Sequence, residues 1–325
     1  MRRLVRRSVA LTCAWYLADD ARMRWRLARG HIATRSGARH AALPLDESLA
    51  YIERIHRDYL AYAGRERFTG TIAEIGPGDN FGLAMLSLCG GAEAVHAIDR
   101  YASVRDAGRQ AAIYRALADR HGFHALFDGA PGEAALRGLH LHAGVPAERF
   151  FREAGLVFEA ILSRAVMEHL YDPLGALDDM AAALAPGGVM VHRIDFRDHG
   201  MFAGHPPLTF LTVPDRLWRA MTRHAGRPNR MLLPAWRDWL ARSRLAGSLR
   251  ITRLAGVDGE IAPAAWADID ATLRARALAA VRAVRPRLAR SLRPLADQDL
   301  AVAGCVLVAE RAQLTATRAP PRTRA

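Results

Sequence analysis

Gly76 and Gly78 follow the apolar run Thr71-Ile-Ala-Glu-Ile75 and precede an apolar helical stretch from Leu83 to Leu88. A strand that feeds a tight turn and then a helix offers free backbone N–H groups, and glycine lets that backbone approach a ligand where a Cβ would collide. Asp99 closes the next β-rich run, Val95-His-Ala-Ile-Asp99, 23 residues beyond Gly76. That spacing suits a carboxylate gripping two ribose hydroxyls, so the turn reads as a cradle for an adenosine-type ligand. Gly76, Gly78 and Gly82 also form a loose dinucleotide fingerprint, with Phe81 where its third glycine normally stands; a nicotinamide cofactor is the competing reading.

A second group of chemistry-bearing residues lies in His192-Arg-Ile-Asp-Phe-Arg-Asp-His199, at the end of a further apolar run. His199 is the first candidate for a general base, with Asp195 and Asp198 near enough in sequence to orient it, because an imidazole accepts a proton near neutrality without a large shift. His169, in Glu168-His169, is the competing imidazole. No metal is expected: alternation along a strand puts His192 and Asp195 on opposite faces, so His192, Asp195, Asp198 and His199 do not converge on one ion.

The elements that must hold these groups follow from periodicity. Thr71 to Gly76, Ala94 to Asp99, Leu156 to Ser163 and Val189 to Asp195 read as strands alternating with helices, with another strand expected at Leu139 to Ala143. Alternation of this kind implies βαβ units and a mostly parallel sheet covered on both faces, a doubly wound α/β domain. Arg250 to Ala255 and Leu300 to Ala309 complete seven strands, separated by a helical stretch from Pro263 to about Arg293. Residues 1–67 read as a basic helical N-terminal extension, whose second helix carries Leu49, Ile52, Ile55 and Tyr59 on one core-facing stripe. The aromatic-rich segment 196–245 lacks a clean period and reads as an inserted helical lid, residues 68–314 as the catalytic domain, and 315–325 as a disordered tail.

The net charge of +13 suggests a polyanion partner until its distribution is read. Residues 1–40 carry ten arginines and two aspartates (+8) and residues 311–325 four arginines (+4), which leaves +1 for the body; a nucleic-acid groove through the domain is not expected. Lysine is absent, so every basic residue is Arg. Cys13, Cys89 and Cys305 form no metal or CxxC spacing and read as buried small hydrophobes in a reducing cytoplasm. No apolar run spans a bilayer, and Asp19 and Asp20 argue against an export signal. Residues 1–30, rich in Arg and Trp, suit a helix lying on the inner face of an anionic membrane.

Taken in order, three segments resemble the class I S-adenosylmethionine-dependent methyltransferases over roughly residues 68–310. The first is Glu74-Ile-Gly76-Pro-Gly78, an acidic-x-G-x-G turn; the second is Phe158-Glu-Ala-Ile-Leu-Ser-Arg-Ala-Val-Met-Glu-His-Leu170; the third is Leu184-Ala-Pro-Gly-Gly-Val-Met-Val191, the family's helix end, Pro-Gly-Gly turn and fifth strand. Asn80 replaces a frequent glycine and Glu159 a usual Asp. The resemblance implies a Rossmann-like seven-stranded sheet with an antiparallel last strand and S-adenosylmethionine as cofactor. It also implies a binding set of Glu74, Gly76, Gly78, Asn80, Asp99 and Ser163, with Glu74 near the amino-acid end. Asp128, Ala147 and Glu148 remain alternatives for the adenine contact. Catalysis falls to His199, Asp195 or His169. Ser163-Arg-Ala-Val stands where amino-group methylation of DNA bases needs Asn/Asp-Pro-Pro-aromatic, and there is no Pro-Cys for cytosine C5 chemistry. The expectation is O-methylation of a small-molecule or glycan hydroxyl. Arg197-Asp-His-Gly, Leu208-Thr-Phe-Leu211, Leu217-Trp218 and Pro228-Asn-Arg230 resemble a subgroup associated with sugars or natural products. The rivals are a nicotinamide-dependent oxidoreductase and a non-catalytic cofactor-binding module.

Overall fold

The computed structural model describes residues 8–34 and 39–313. The tail 315–325 and the arginines of residues 1–7 lie outside the described residues. Seven strands form one sheet: β1 (Gly70–Ile75), β2 (Ala92–Asp99), β3 (Leu139–Ala143), β4 (Phe158–Arg164), β5 (Leu184–Asp195), β6 (Ala246–Leu254) and β7 (Val302–Glu310). Their spatial order is β3-β2-β1-β4-β5-β7-β6. β7 is antiparallel to both its neighbours and the remaining pairs are parallel. The order reverses between β1 and β4, and the crevice at their carboxyl ends is where an open α/β sheet binds ligands.

Ten helices, α1 (Val9–Ala28), α2 (Leu45–Ala63), α3 (Gly82–Cys89), α4 (Ala107–His121), α5 (Ala147–Glu153), α6 (Pro173–Ala182), α7 (Asp215–Thr222), α8 (Leu233–Arg242), α9 (Ala271–Val284) and α10 (Asp297–Ala301), cover the sheet among the described residues. One apolar layer joins Leu49, Ile52, Ile55 and Tyr59 of α2 to Met85 of α3 and Ile113, Tyr114 and Leu117 of α4. The other joins α5, α6 and α9 to the inserted segment, whose Phe202, Phe210, Trp218, Trp236 and Trp239 are buried. The five aromatics share one core with α5, α6 and α9, so the inserted segment is packed onto the domain and is not a loose flap.

Several expectations need correction. Strand pairing already begins at Leu184, with a register shift between Phe158 and Ala160 on the β4 side, so Pro186-Gly-Gly188 lies inside β5 instead of before it. Gly187 N donates to Arg311 O and Arg311 N to Gly188 O, which ties that bulge to the chain after β7. The helical stretch after Pro263 is interrupted: Asp270 caps α9 through the N–H groups of Thr272 and Leu273, and Pro286 ends it by starting a short 3-10 turn. Cys13 and Cys305 are buried, but Cys89 ends α3 at the surface.

α1 is held against the insertion by buried Asp20. Its carboxylate accepts from the backbone N–H groups of His224 and Ala225 and pairs with His224 Nδ1 at 2.8 Å, while Asp19 pairs with Arg227 at 2.8 Å. The opposite side of α1 leaves Leu11, Trp15 and Trp25 exposed. No helix among the described residues is long and apolar enough to cross a membrane.

Candidate active site

The Gly76 turn is fixed by its backbone. Gly76 and Gly78 have φ of +70° and +71°, and a Cβ on Gly76 would sit 2.5 Å from Val166 Cγ2. Both conditions require glycine. Gly76 N donates to Ile98 O, which joins the turn to the end of β2. Two cavities of about 350 Å³ each open on either side of this turn and share Ile75, Gly76, Gly78, Ala165 and Val166.

The first cavity contains Asp99, Tyr101, Ala147, His169 and His199. Asp99 Oδ1 accepts from Tyr101 N at 2.9 Å, and Ser103 Oγ lies 3.4 Å from Oδ2. Burial raises the Asp99 carboxyl above its ordinary range despite these donors and nearby Arg105. Of the three alternatives for the adenine contact, only Ala147 lines this cavity.

At the far end of the same cavity, the turn after β4 is forced into shape by the insertion. Asn229 N donates to Glu168 O at 2.6 Å, and Asn229 Nδ2 donates to Met167 O and Leu170 O. His169 Nδ1 lies 2.8 Å from Gly226 O, so this nitrogen carries the proton and Nε2 keeps its lone pair. Burial, with the charge of His199, holds His169 below the ordinary imidazole value. The two candidate imidazoles, far apart in sequence, meet at 4.8 Å between ring centroids, edge to face. His199 itself sits at φ +49°, a conformation costly for a side chain with a Cβ.

Glu168 is buried, 2% exposed, and neither carboxylate oxygen has a hydrogen-bond donor. His199 Nε2 lies 3.5 Å from Glu168 Oε1 and 3.8 Å from Asp195 Oδ2, ion-pair distances too long for a well-formed hydrogen bond. Burial pulls the His199 imidazole down, but attraction to Glu168 and then Asp195 outweighs it, so its pKa is raised. Glu168, His169 and His199 also offer three ligand atoms within 4.8 Å of one another. The expectation of no metal set rested on His192, Asp195, Asp198 and His199, and it is corrected to this extent: a different, metal-capable trio forms.

Other assignments shift as well. His192 is fully buried and neutral, driven by burial to about 3, with its Nδ1 2.8 Å from Ser163 Oγ. Ser163 therefore lines neither cavity, and its place in the binding set is withdrawn. Asp198 accepts from Gly200 N and Phe202 N and so shapes the loop. Asp195 is gripped by Arg197 through Nε at 2.9 Å and Nη2 at 2.5 Å; burial raises it, but this pairing brings it below the usual carboxylate range. Both polar side-chain atoms of Asn80 are used internally, on Gln110 and Gly82 N.

Glu74 lines the second cavity. It is buried, its Oε2 has no partner, and burial alone pushes its carboxyl up to about 8. Around it stand Tyr51, Ile52, Ile55 and Tyr59 of α2 and a group of arginines from the ends of β4, β5 and β6. The sequence reading named Glu168 only as part of the Glu168-His169 pair, without its contact to His199, and missed the arginine group and α2 as a cavity wall. Only the i, i+3, i+4 stripe on α2 hinted at one of these.

A family model described as a methyltransferase domain matches residues 49–255. No curated protein matches the chain. Similar solved structures include phosphoethanolamine N-methyltransferase 2 of Haemonchus contortus, 12% identical with a TM-score of 0.41, covering 80% of this chain and 53% of that one. Another is the N-methyltransferase NodS from Bradyrhizobium japonicum WM9, 15% identical with a TM-score of 0.39, covering 81% of this chain and 97% of that one. The chain spans about half the length of the first of these.

Proposed function

The chain belongs to the class I S-adenosylmethionine-dependent methyltransferases, and from that premise we propose that it methylates a hydroxyl oxygen of a small-molecule or glycan acceptor. The observation that carries this reading is that the glycine turn, Asp99 and the His169–His199 pair line one cavity. The site fits the cofactor on its own terms: a cradle at Gly76 that a Cβ would fill, and a buried Glu74 oxygen with no partner. Asp99 would hold the ribose hydroxyls, the turn would approach the cofactor through backbone, and Glu74 would face the amino-acid end. Bound there, S-adenosylmethionine supplies an electrophilic methyl group, whose carbon–sulfur bond breaks as the acceptor oxygen bonds to carbon.

The remaining work falls to the chain. His199 accepts the hydroxyl proton, and the carboxylates of Glu168 and Asp195 stabilise the imidazolium that results. His169, with its proton fixed on Nδ1 by Gly226 O, presents Nε2 to the same space and orients the acceptor. Positioning of the two reactants contributes the larger part of the rate. A search for a one-methyl mass increment in cell extract incubated with the chain and labelled S-adenosylmethionine tests the reading; cofactor that binds without any turnover would favour a regulatory module.

Exposed Trp15 and Trp25 favour one addition, contact of α1 with an anionic membrane surface near a lipid-linked acceptor.

A further inference from the structure

The second cavity carries a charge arrangement that methyl transfer alone does not explain. Arg164 and Arg193 occupy directly paired positions on the parallel strands β4 and β5, both at the carboxyl edge of the sheet. Like charges facing each other across a ladder are destabilising, so the pair persists only if an anion lies between them. Arg253, near the same edge of β6, joins them. All three turn to one carboxylate, Glu260, at 3.4 Å from Arg164, 3.0 Å from Arg193 and 3.1 Å from Arg253.

That carboxylate does not balance the site. The cavity is lined by Arg39, Arg54, Arg164, Arg193, Arg197 and Arg253 against Asp79, Asp195, Glu260 and a Glu74 that burial keeps protonated at neutral pH. Six guanidiniums face three ionised carboxylates, a surplus of three; Asp58, behind Arg54 and Arg164, reduces it to two. Arg193 is 5% exposed and its Nε has no acceptor, an unmet donor in a buried cation. Glu260 comes from the loop after β6 and keeps a third of its side chain, 37%, in solvent. It stands on a loop, while the three arginines belong to the sheet.

Resting on the methyltransferase reading above, we propose that this cavity binds the acceptor through an oxyanion, a carboxylate or phosphate group, which takes the place of the Glu260 carboxylate on Arg164, Arg193 and Arg253. Planar guanidiniums converging from three strands suit an oxyanion with several acceptor oxygens. The two cavities meet at Gly76, Ala165 and Val166, so an acceptor anchored by its anion could present a hydroxyl toward His199. The acceptor class narrows to acidic sugars or phosphorylated small molecules.

The test is calorimetric titration of the full chain, saturated with S-adenosylhomocysteine at fixed ionic strength, with inorganic phosphate and separately with acetate. Saturable binding of either is expected, and the tighter one identifies the group. Arg253→Gln should weaken it about tenfold or more, the scale of a hydrogen bond to a charged group. Glu260→Gln, which keeps the size of the side chain and whose folding is checked by circular dichroism, should tighten it about threefold by removing the competing carboxylate. S-adenosylhomocysteine affinity should stay within about twofold in both variants, since the contacts assigned to the cofactor are Asp99, the Gly76 turn and Glu74, and neither varied residue is among them. Equal anion affinity in all three chains overturns the inference. So does loss of anion binding on saturation with S-adenosylhomocysteine, which would assign the arginines to the cofactor's own carboxylate. Failure of S-adenosylhomocysteine to bind at all would instead overturn the methyltransferase reading, and the acceptor assignment with it.

Discussion

The two cavities flanking the Gly76 turn have nearly the same size and share a floor, yet their walls differ in kind. The first is lined mainly by apolar and weakly polar groups, with Asp99 and Arg100 as its charged residues. The second is crowded with arginines and carboxylates. The first thus offers a few placed hydrogen bonds and a pair of imidazoles, the equipment for holding a nucleoside and moving a proton. The second offers strong, salt-sensitive attraction for an anion. A bisubstrate enzyme needs both kinds of wall, and the glycine turn keeps the seam between them narrow, with Ile75, Ala165 and Val166 as its other shared residues.

The harshest way to break the comparison is to fill the seam. Gly78→Val forces a β-branched residue into φ +71° at a position that lines both cavities. Donor binding should become undetectable by calorimetry, and a normal donor affinity would show that the turn is not the meeting point.

Next in size is His199→Ala, which acts on the proton and not on the donor. Turnover should fall about 10²-fold or more with donor affinity within about twofold. A rate near wild type would pass the role to His169. Because Glu168 raises His199, Glu168→Gln should move the rising limb of the pH–rate profile to lower pH; an unmoved limb would deny the ion pair any part. Turnover should also survive a strong chelator. Loss of activity that zinc or manganese restores would turn Glu168, His169 and His199 into metal ligands.

Asp99→Ala should weaken S-adenosylmethionine by about 1.5 to 3 kcal/mol, the worth of charge-assisted hydrogen bonds to ribose hydroxyls, with the fold intact. Unchanged affinity in the folded variant would move the ribose contact out of the first cavity.

A different readout, stability and not turnover, separates the cavities by pH. Glu74 has a folded pKa of about 8 against an ordinary value of 4.5, so between those values the folded chain holds a proton that the unfolded chain releases. The stability this contributes is complete below about pH 4.5 and is lost as pH rises through about 8, at no more than about 1.4 kcal/mol per pH unit. Denaturant titrations of the donor-free chain at several pH values should show that decline, and Glu74→Gln should flatten it. A wild-type curve that is already flat would mean Glu74 is ionised in the fold.

The smallest expected effect is on membrane contact. Anionic liposomes should pellet the full chain severalfold better than a variant with Leu11, Trp15 and Trp25 changed to Ser, whose exposed positions leave the Asp20 anchor untouched. Equal pelleting ends that idea.

How far the sequence reached is clearest at β3. Leu139 to Ala143 was legible as a strand although Leu141 is exposed, because alternation and the βαβ count demanded a strand there. Asp99 was legible for the same reason: a carboxylate at a strand end keeps its address whatever surrounds it. Ser163 was not, since facing inward or outward at the end of β4 depends on His192 across the ladder, and that partner is set by register. Glu168 looked no different from its neighbour His169 in sequence; the turn that carries it is held by Asn229, some sixty residues away, and its burial without donors depends on that tertiary packing.

The sequence by itself determined the alternation of strands and helices, the glycine turn, the acidic residues at the ends of β1 and β2, and the seven-stranded sheet they imply. These depend on local backbone conformation and on periodic burial, both written along the chain. Tertiary structure alone decided that His169 and His199 share one cavity with buried Glu168 beside His199, that His192 is withdrawn, and that Arg164, Arg193 and Arg253 converge on a single carboxylate. Those facts depend on which strands lie side by side and how the insertion folds back over their ends. A charge or a lone pair acts across a few ångströms of space, and separation along the chain does not encode that distance.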